Sequence, residues 1–180
     1  MGTPVRICRL GSFDVALLRE VNAVFGDAFG EHREYTEAPP TDAYLSDLLK
    51  KEHIVVLAAL VAGAVVGGLV AYELDKLERQ RREIYIYDLA VSNAHRRRGV
   101  ATGTINALKK IAASQGACVI FVQADLDDGP AIAFYSSLGT MRPAHHFDIE
   151  VGTIKSDDRA CRSFQGRAAA RRSKICPNEM

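Results

Sequence analysis

The sequence lacks the features that mark membrane, secreted and metal-binding proteins. It has no run of about 18 consecutive apolar residues, because glycines interrupt the longest candidate at 54–72. The first residues carry no apolar signal core. The four cysteines form neither a Cys-x-x-Cys pair nor a Cys/His ligand spacing, so we expect no metal and no disulfide framework. We therefore expect a cytoplasmic protein.

The chain also lacks a strong overall charge. Its 180 residues carry a formal net charge of +1, which does not favour nucleic acid or a membrane as a partner. The length suits one domain with a full core. After residue 151 the composition becomes basic and poor in apolar residues. We predict one domain at 1–151 and a basic, disordered extension at 152–180; the alternative is a basic arm that contacts nucleic acid.

The apolar pattern predicts a mixed α/β fold in the order β-α-α-β-β-β-α-β-α-β. Ser12, Thr41 and Asp128 are candidate N-caps for three of the helices. One helix is expected to cover each parallel crossover. The predicted strands are 4–10, 54–60, 64–72, 84–91, 117–124 and 146–151, and the helices follow Ser12 and Thr41 or occupy 98–115 and 131–138.

The fourth of these strands leads into a sequence suited to phosphate. Residues 84–91 are largely β-branched and aromatic, as in a strand that is buried on both faces. A short turn then brings Arg96, Arg97, Arg98 and Gly99 to the start of a helix, where unpaired amides and the helix dipole favour an anion. Neither G-x-G-x-x-G nor G-x-x-x-x-G-K-[ST] is present. The alternative is an ordinary turn whose arginines only solvate the surface.

The spacing Arg96-x-x-Gly99-x-Ala101 resembles the acetyl-coenzyme A signature of the GNAT acetyltransferase superfamily, Arg/Gln-x-x-Gly-x-Gly/Ala. The resemblance implies an α/β GNAT fold with a mixed central sheet, a splayed central strand pair and helices on both faces. It implies that the amides of residues 97–101 hold the pyrophosphate of acetyl-coenzyme A. It also implies a bulge in the preceding strand, whose freed amides around 89–91 face the thioester, one of them binding the oxyanion.

A second stretch resembles the other motif of the same family. It is Ala-Ile-Ala-Phe-Tyr-Ser-Ser-Leu-Gly at 131–139, and the resemblance implies that Tyr135 lies by the sulfur of coenzyme A as general acid. A phenol with a pKa of about 10 can protonate a thiolate and still be un-ionised near neutral pH. The alternative is a tyrosine that packs on an apolar helix.

Asp88 interrupts an otherwise apolar strand one residue before the expected oxyanion donors. A carboxylate buried there is costly unless it is paired or used. As general base it would take a proton from the attacking ammonium group, and as an anion it would orient a cationic substrate. The alternative is an ion pair with a nearby arginine.

Acidic residues surround the expected cleft. Segment 26–42 holds five acids and one arginine, and three aspartates follow the strand at 117–124. Asp148 and Glu150 belong to the last predicted strand. Because a desolvated ammonium group needs anionic partners, these carboxylates predict a small polycationic substrate. For segment 26–42 taken alone, a solvated acidic loop is the alternative.

Four stretches carry a closer resemblance: Glu-Ile-Tyr-Ile-Tyr-Asp-Leu-Ala-Val at 83–91, His-Arg-Arg-x-Gly at 95–99, Val-Gln-Ala-Asp at 122–125 and His-Phe-Asp-Ile at 146–149. Together they resemble the type I aminoglycoside 3-N-acetyltransferases, resistance enzymes that acetylate the 3-amino group of gentamicin-like drugs. The resemblance implies an aminoglycoside and acetyl-coenzyme A as substrates, and we expect a homodimer. Thr102-Gly103-Thr104 and the tail after residue 152 depart from the family. The alternatives are a polyamine or protein-amine acetyltransferase and a catalytically silent coenzyme A-binding module.

These arguments select three groups of residues. The predicted catalytic residues are Asp88, Leu89 and Tyr135. The residues predicted to bind acetyl-coenzyme A are Leu89, Ala90, Val91, Arg96, Arg97, Arg98, Gly99, Val100, Ala101, Thr102 and Tyr135. The residues predicted to bind the acceptor are Asp27, Glu31, Glu34, Glu83, Tyr87, Asp88, Asp125, Asp127 and Asp148.

Overall fold

The computed structural model describes residues 4–36, 38–147 and 149. The chain divides into two compact units, with the boundary between Gln123 and Ala124. Asp148, Glu150 and the extension predicted at 152–180 lie outside the described residues, so the domain boundary at residue 151 stays a prediction. Among the described residues, no helix is both long and apolar enough to cross a bilayer.

The first unit contains a five-stranded mixed sheet. Its strands are β1 (Arg6–Arg9), β2 (Ile54–Val61), β3 (Ala64–Asp75), β4 (Arg82–Val91) and β5 (Ala117–Val122). They lie in the order β1-β2-β3-β4-β5, with antiparallel pairing between the first four strands and parallel pairing between β4 and β5. The mixed sheet expected from the sequence is confirmed, and β3 runs further than predicted.

The helices of the first unit cover both faces of this sheet. They are α1 (Val15–Phe29), α2 (His32–Thr36), α3 (Asp42–Leu49) and α4 (Val100–Ser114). On one face, Phe25 of α1 and Leu45 of α3 share a core cluster with Val56 of β2. On the other face, Val100 of α4 clusters with Ala59 of β2. Burial on both sides explains why the sequence of β2 is continuously apolar.

Two of the predicted N-caps can be compared with the observed helix starts of the first unit. Thr41 is a cap as predicted, since its Oγ1 accepts a hydrogen bond from the Tyr44 amide at 3.2 Å. Ser12 is not a cap, because α1 begins later and Asp14 occupies its N-cap position. The Asp14 carboxylate accepts a hydrogen bond from the Gly11 amide at 2.8 Å. It therefore closes the turn before α1 and does not bond to an amide of the helix.

The short helix α2 is absent from the sequence prediction. It lies within the acidic segment 26–42, whose glycines and prolines favour a loop. Tyr35 of this helix contacts the rings of Phe25 and Phe29, with centroid distances of 6.3 and 6.4 Å. This aromatic contact with the core stabilises the helix against its local sequence preference.

Gly103 lies inside α4, where glycine costs roughly 1 kcal/mol relative to alanine. A Cβ atom built at this position would lie 3.1 Å from Cδ1 of Ile7 on β1, which is closer than an ordinary van der Waals contact. The close approach of α4 to β1 therefore means that a larger residue at this position would have to displace the end of the Ile7 side chain.

The second unit contains α5 (Gly129–Ser136). Asp128 caps this helix as predicted, since its Oδ1 accepts a hydrogen bond from the Ala131 amide at 2.9 Å. The helix begins two residues earlier than predicted. Of the strand predicted at 146–151, only His146, Phe147 and Ile149 are described, and these three belong to no strand.

Candidate active site

The strand β4 loses its β5 neighbour halfway along its length. It pairs with β3 from Arg82 to Val91. Its parallel ladder with β5 ends where Ile86 lies opposite Val122. Within the described part of the chain, the half of β4 after Ile86 has no strand on that side. This is the splayed strand pair that the family resemblance implies.

A β-bulge marks the point where β4 and β5 separate. Val70 of β3 lies opposite Asp88, whereas Ala71 lies opposite Ile86, so Tyr87 is an extra residue on β4. Directly opposed residues place their side chains on the same face of a sheet. Asp88 therefore shares the face of Val70, which packs against the α1–α3 core.

Three tyrosines lie on this face together with Asp88. The ring of Tyr87 meets those of Tyr72 and Tyr85 nearly at right angles, with centroid distances of 5.8 and 6.1 Å. Burial raises the pKa of the Tyr72 phenol, and the neighbouring Tyr87, Asp88 and Tyr44 raise this pKa further. Sequence reasoning overlooked Tyr72. The signal that could have revealed it is the hairpin register, which places Tyr72 opposite Tyr85.

The direction of the β4 amides follows from one hydrogen bond at its end. The Ser92 amide donates to the Val66 carbonyl of β3 at 2.8 Å. Because amides alternate in direction along an antiparallel strand, the Ala90 amide also points toward β3. The amides of Leu89 and Val91 then point toward the edge that β5 has left. Leu89 is thus favoured over Ala90 as a donor to a ligand at this edge.

The turn after β4 leaves a row of backbone amides without acceptors. The Arg96 amide bonds to the Asn93 carbonyl at 3.4 Å, and the Gly103 amide makes the first bond of α4, to Gly99 at 2.8 Å. Between them, the amides of residues 97–102 have no backbone acceptor among the described residues. The first turn of α4 also contains no acidic residue.

Left-handed backbone conformations shape this turn. Arg97 has φ of 60° and Gly99 has φ of 77°. A Cβ atom at Gly99 would meet nothing within 4 Å, so the backbone angle and not the available space requires glycine there. Arg97 has no such freedom and carries strain of about 1 kcal/mol, as is common at ligand clamps. The open amides at a helix N-terminus fit a pyrophosphate.

The three arginines of the turn differ in what they contact. The Arg96 Nε donates to the Val91 carbonyl at 3.1 Å, which ties the turn to the end of β4. Arg97 and Arg98 are exposed, so their guanidinium groups face solvent where an anion would approach.

Asp27 lies near the same turn. It lines a cavity of about 200 Å³, and its Oδ1 lies 3.1 Å from His32 Nδ1. Glu31 is half-buried, and the side chain of Glu34 lies outside what the structure describes. The other residues that line the cavity are Val24, Ala28, Ser92 and Asn93.

Glu83 lies at the far end of β4, within an ion-pair network. Its carboxylate is 3.2 Å from Arg81 Nη2 and 3.9 Å from Lys76 Nζ, and 18% of the side chain is exposed. Both neighbouring cations also pair with Glu78. The charge of Glu83 is therefore already shared within the protein, which the sequence did not reveal.

The remaining described site residues belong to the second unit. Asp125 and Asp127 are exposed, whereas Asp128 is buried beneath the start of α5. Tyr135 lies on α5, is half-buried, and has its ring centroid 5.2 Å from that of Phe134.

Comparison with known proteins identifies the family. Residues 18–140 match the model of the acetyltransferase (GNAT) family. The chain belongs to this family. It has the GNAT fold, as the resemblance of its two motifs implied, and it is an acetyl-coenzyme A-dependent N-acetyltransferase.

Solved structures similar to this GNAT chain include two aminoglycoside acetyltransferases from uncultured soil metagenomic samples. HMB0005 is 50% identical, with a TM-score of 0.81, and the match covers 83% of this chain and 99% of that one. The enzyme meta-AAC0020, in complex with sisomicin, is 28% identical, with a TM-score of 0.76 and coverage of 82% and 96%. AAC(6')-Iy, in complex with a bisubstrate analog, shares the fold at 16% identity, with a TM-score of 0.66 and coverage of 84% and 100%. The comparison with curated proteins found no match.

Proposed function

We propose that this acetyltransferase modifies the 3-amino group of gentamicin-class aminoglycosides and so confers resistance to them. The observation that carries the proposal is the 50% identity with an aminoglycoside acetyltransferase over 99% of that enzyme. The relative that is 28% identical was solved with sisomicin. The position of acetylation rests on the four stretches that resemble type I 3-N enzymes.

The backbone at the end of β4 is the proposed binding site for the acyl donor. The amides of residues 97–102 and the exposed Arg97 and Arg98 would hold the pyrophosphate of acetyl-coenzyme A, whose thioester supplies the acetyl group. The amide of Leu89 points toward the open edge of β4 and would stabilise the oxyanion of the tetrahedral intermediate. Ala90 and Val91 flank it, and their place in the site comes from the resemblance.

Asp88 is the proposed general base. It lies at the bulge where β4 leaves β5, on the same face as Tyr72 and Tyr87. Its carboxylate would accept one proton from the ammonium group of the acceptor, which frees the nitrogen lone pair for attack. Tyr135 is proposed by family resemblance as the general acid that protonates the departing thiolate.

Carboxylates are proposed to select a polycationic acceptor, because each ammonium group that leaves water needs an anionic partner. Asp27 is exposed and lines the cavity beside the turn after β4. Glu83 stays among the proposed acceptor residues, and its carboxylate is already paired with Arg81 and Lys76. The other proposed acceptor residues are Glu31, Glu34, Tyr87, Asp125, Asp127 and Asp148.

The experiment that tests this function is a thiol-release assay on the purified full chain with acetyl-coenzyme A and gentamicin. We expect turnover with gentamicin and little with spermidine, and NMR of the product is expected to show the acetyl group on the 3-amino nitrogen. Expression in a susceptible bacterium should raise the inhibitory concentration of gentamicin. Acetylation at another amine would contradict the regiochemistry, and turnover of spermidine alone would favour a polyamine acetyltransferase.

The proposed assembly is a homodimer, which the family resemblance alone supports. Sedimentation equilibrium of the full chain measures it directly. A monomeric mass at micromolar concentration would contradict this part of the proposal.

A further inference from the structure

Tyr72 lies on β3 beside the proposed general base. In the β3–β4 register, Tyr72 is opposite Tyr85 and Val70 is opposite Asp88, so Tyr72 and Asp88 lie on one face of the sheet. The bulge inserts Tyr87 into β4 directly before Asp88. The ring of Tyr87 meets the ring of Tyr72 at 85°, with a centroid distance of 5.8 Å. Tyr72, Tyr87 and Asp88 therefore lie on one face at the point where β4 and β5 separate.

The hydroxyl groups of Tyr72 and its neighbour Tyr85 differ in their hydrogen-bond partners. Tyr85 donates a hydrogen bond to Gln123 Oε1 at 3.1 Å. The Tyr72 hydroxyl makes no hydrogen bond within the described part of the chain, although the residue is half-buried. Tyr72 Oη is not shut off from solvent, so its hydrogen-bonding capacity is open to water or to a ligand.

The Tyr72 phenol also keeps its proton. Burial raises its pKa, and so do Tyr87 and Asp88 on β4 and Tyr44 on α3. All three of these residues lie on the neighbouring elements β4 and α3. At neutral and mildly alkaline pH, Tyr72 is therefore a neutral hydroxyl, able both to donate and to accept hydrogen bonds.

We propose that Tyr72 is a positioning residue that holds the acceptor amine against Asp88; this inference rests on the proposed N-acetylation. The acceptor ammonium gives one proton to the Asp88 carboxylate, and a remaining N–H bond donates to Tyr72 Oη. The nitrogen lone pair, fixed in direction by these two contacts, forms the bond to the thioester carbon. The carbon–sulfur bond then breaks, its electron pair leaves with the sulfur, and the proposed general acid Tyr135 protonates the thiolate and regains a proton from solvent. Asp88 releases its first proton to solvent, and the amide nitrogen then loses its extra proton to solvent through the same carboxylate.

The experiment compares Tyr72→Phe with Tyr85→Phe in the full chain. Each variant removes one phenolic hydroxyl from the same row of rings, but only Tyr72 faces Asp88 without a protein partner. For Tyr72→Phe we expect kcat with gentamicin to fall about tenfold and the KM for gentamicin to rise. The KM for acetyl-coenzyme A and the melting temperature are expected to stay unchanged. Tyr85→Phe is expected to keep kcat within about twofold of the parent.

Three outcomes would overturn the inference. They are a Tyr72→Phe variant with the kinetics of the parent, equal losses in both variants, and a change in the KM for acetyl-coenzyme A in place of the acceptor. If the parent acetylates spermidine but not gentamicin, the proposed substrate is wrong, and the same comparison made with spermidine still tests Tyr72. A parent that acetylates neither amine overturns both proposals.

Discussion

The two halves of β4 belong to one strand but differ in their surroundings. From Arg82 to Ile86 the strand has a partner on each side, β3 and β5. From Tyr87 to Val91 it has β3 alone among the described residues, and a bulge separates the two halves. The first half satisfies its backbone groups within the sheet. In the second half, the amides of Leu89 and Val91 point toward the edge that β5 has left, and Asp88 lies at the bulge.

One strand therefore serves the core with its first half and the proposed site with its second half. Ile84 and Ile86 are almost fully buried, on the face opposite to that of Asp88. One inserted residue, Tyr87, then changes which groups face which side. We therefore expect substitutions in the first half to lower stability and substitutions in the second half to lower activity.

The largest expected effect is that of Asp88→Asn in the second half. Loss of a general base should lower kcat/KM near neutral pH by about 1,000-fold. At higher pH more of the acceptor amine is already neutral, so part of the rate should return. The measurement is the pH dependence of thiol release, with thermal melting as the control for folding. An unchanged pH–rate profile would remove Asp88 from the role of base.

The next effect is that of Ile84→Ala in the first half. Ile84 has no exposed surface, and truncation of such a residue costs about 3 kcal/mol of unfolding free energy. Ile84→Val is the matched control and should cost about 1 kcal/mol. Denaturant unfolding measures both. A loss of rate in Ile84→Ala without a loss of stability would contradict the proposal that the first half of β4 serves stability and the second half activity.

The smallest expected effect, about 100-fold in kcat, is that of a backbone ester at Leu89, which replaces the N–H by oxygen. This amide points away from β3, so the ester should leave the stability almost unchanged. The matched control is an ester at Ala90, whose amide points toward β3; it should cost about 1 kcal/mol of stability and little rate. The reverse pattern would mean that Ala90 supplies the oxyanion contact.

Much of the fold could be predicted from local sequence. The apolar run at 84–91, followed by arginines and Gly99, predicted a strand and then the start of a helix, and both are found. Anion binding at that helix start stays a prediction. Such patterns depend only on residues that are neighbours in the sequence, so they can be recognised without the tertiary structure. The helix α2 was overlooked because its five residues are too few for a periodic pattern and because the contact of Tyr35 with Phe25 is a tertiary one.

The site was less predictable, because its geometry depends on contacts between strands. The placement of Tyr72 on the face of Asp88 follows from the register of β3 on β4 and from the bulge, and neither can be derived from one strand alone. The ion pairs of Glu83 with Arg81 and Lys76 likewise need the hairpin. The preference for Leu89 over Ala90 needed the hydrogen bond between Ser92 and Val66.

The contact between the Arg96 side chain and the Val91 carbonyl bears on the family signature, which admits either arginine or glutamine at this position. The bond uses Nε as a donor to a neutral carbonyl oxygen, and a glutamine amide group could serve the same purpose. This bond requires a side-chain N–H of sufficient reach and does not require a positive charge. The first arginine of the motif thus links the end of β4 to the turn before α4, and the amides of residues 97–102 with Arg97 and Arg98 are the groups left for the proposed anion.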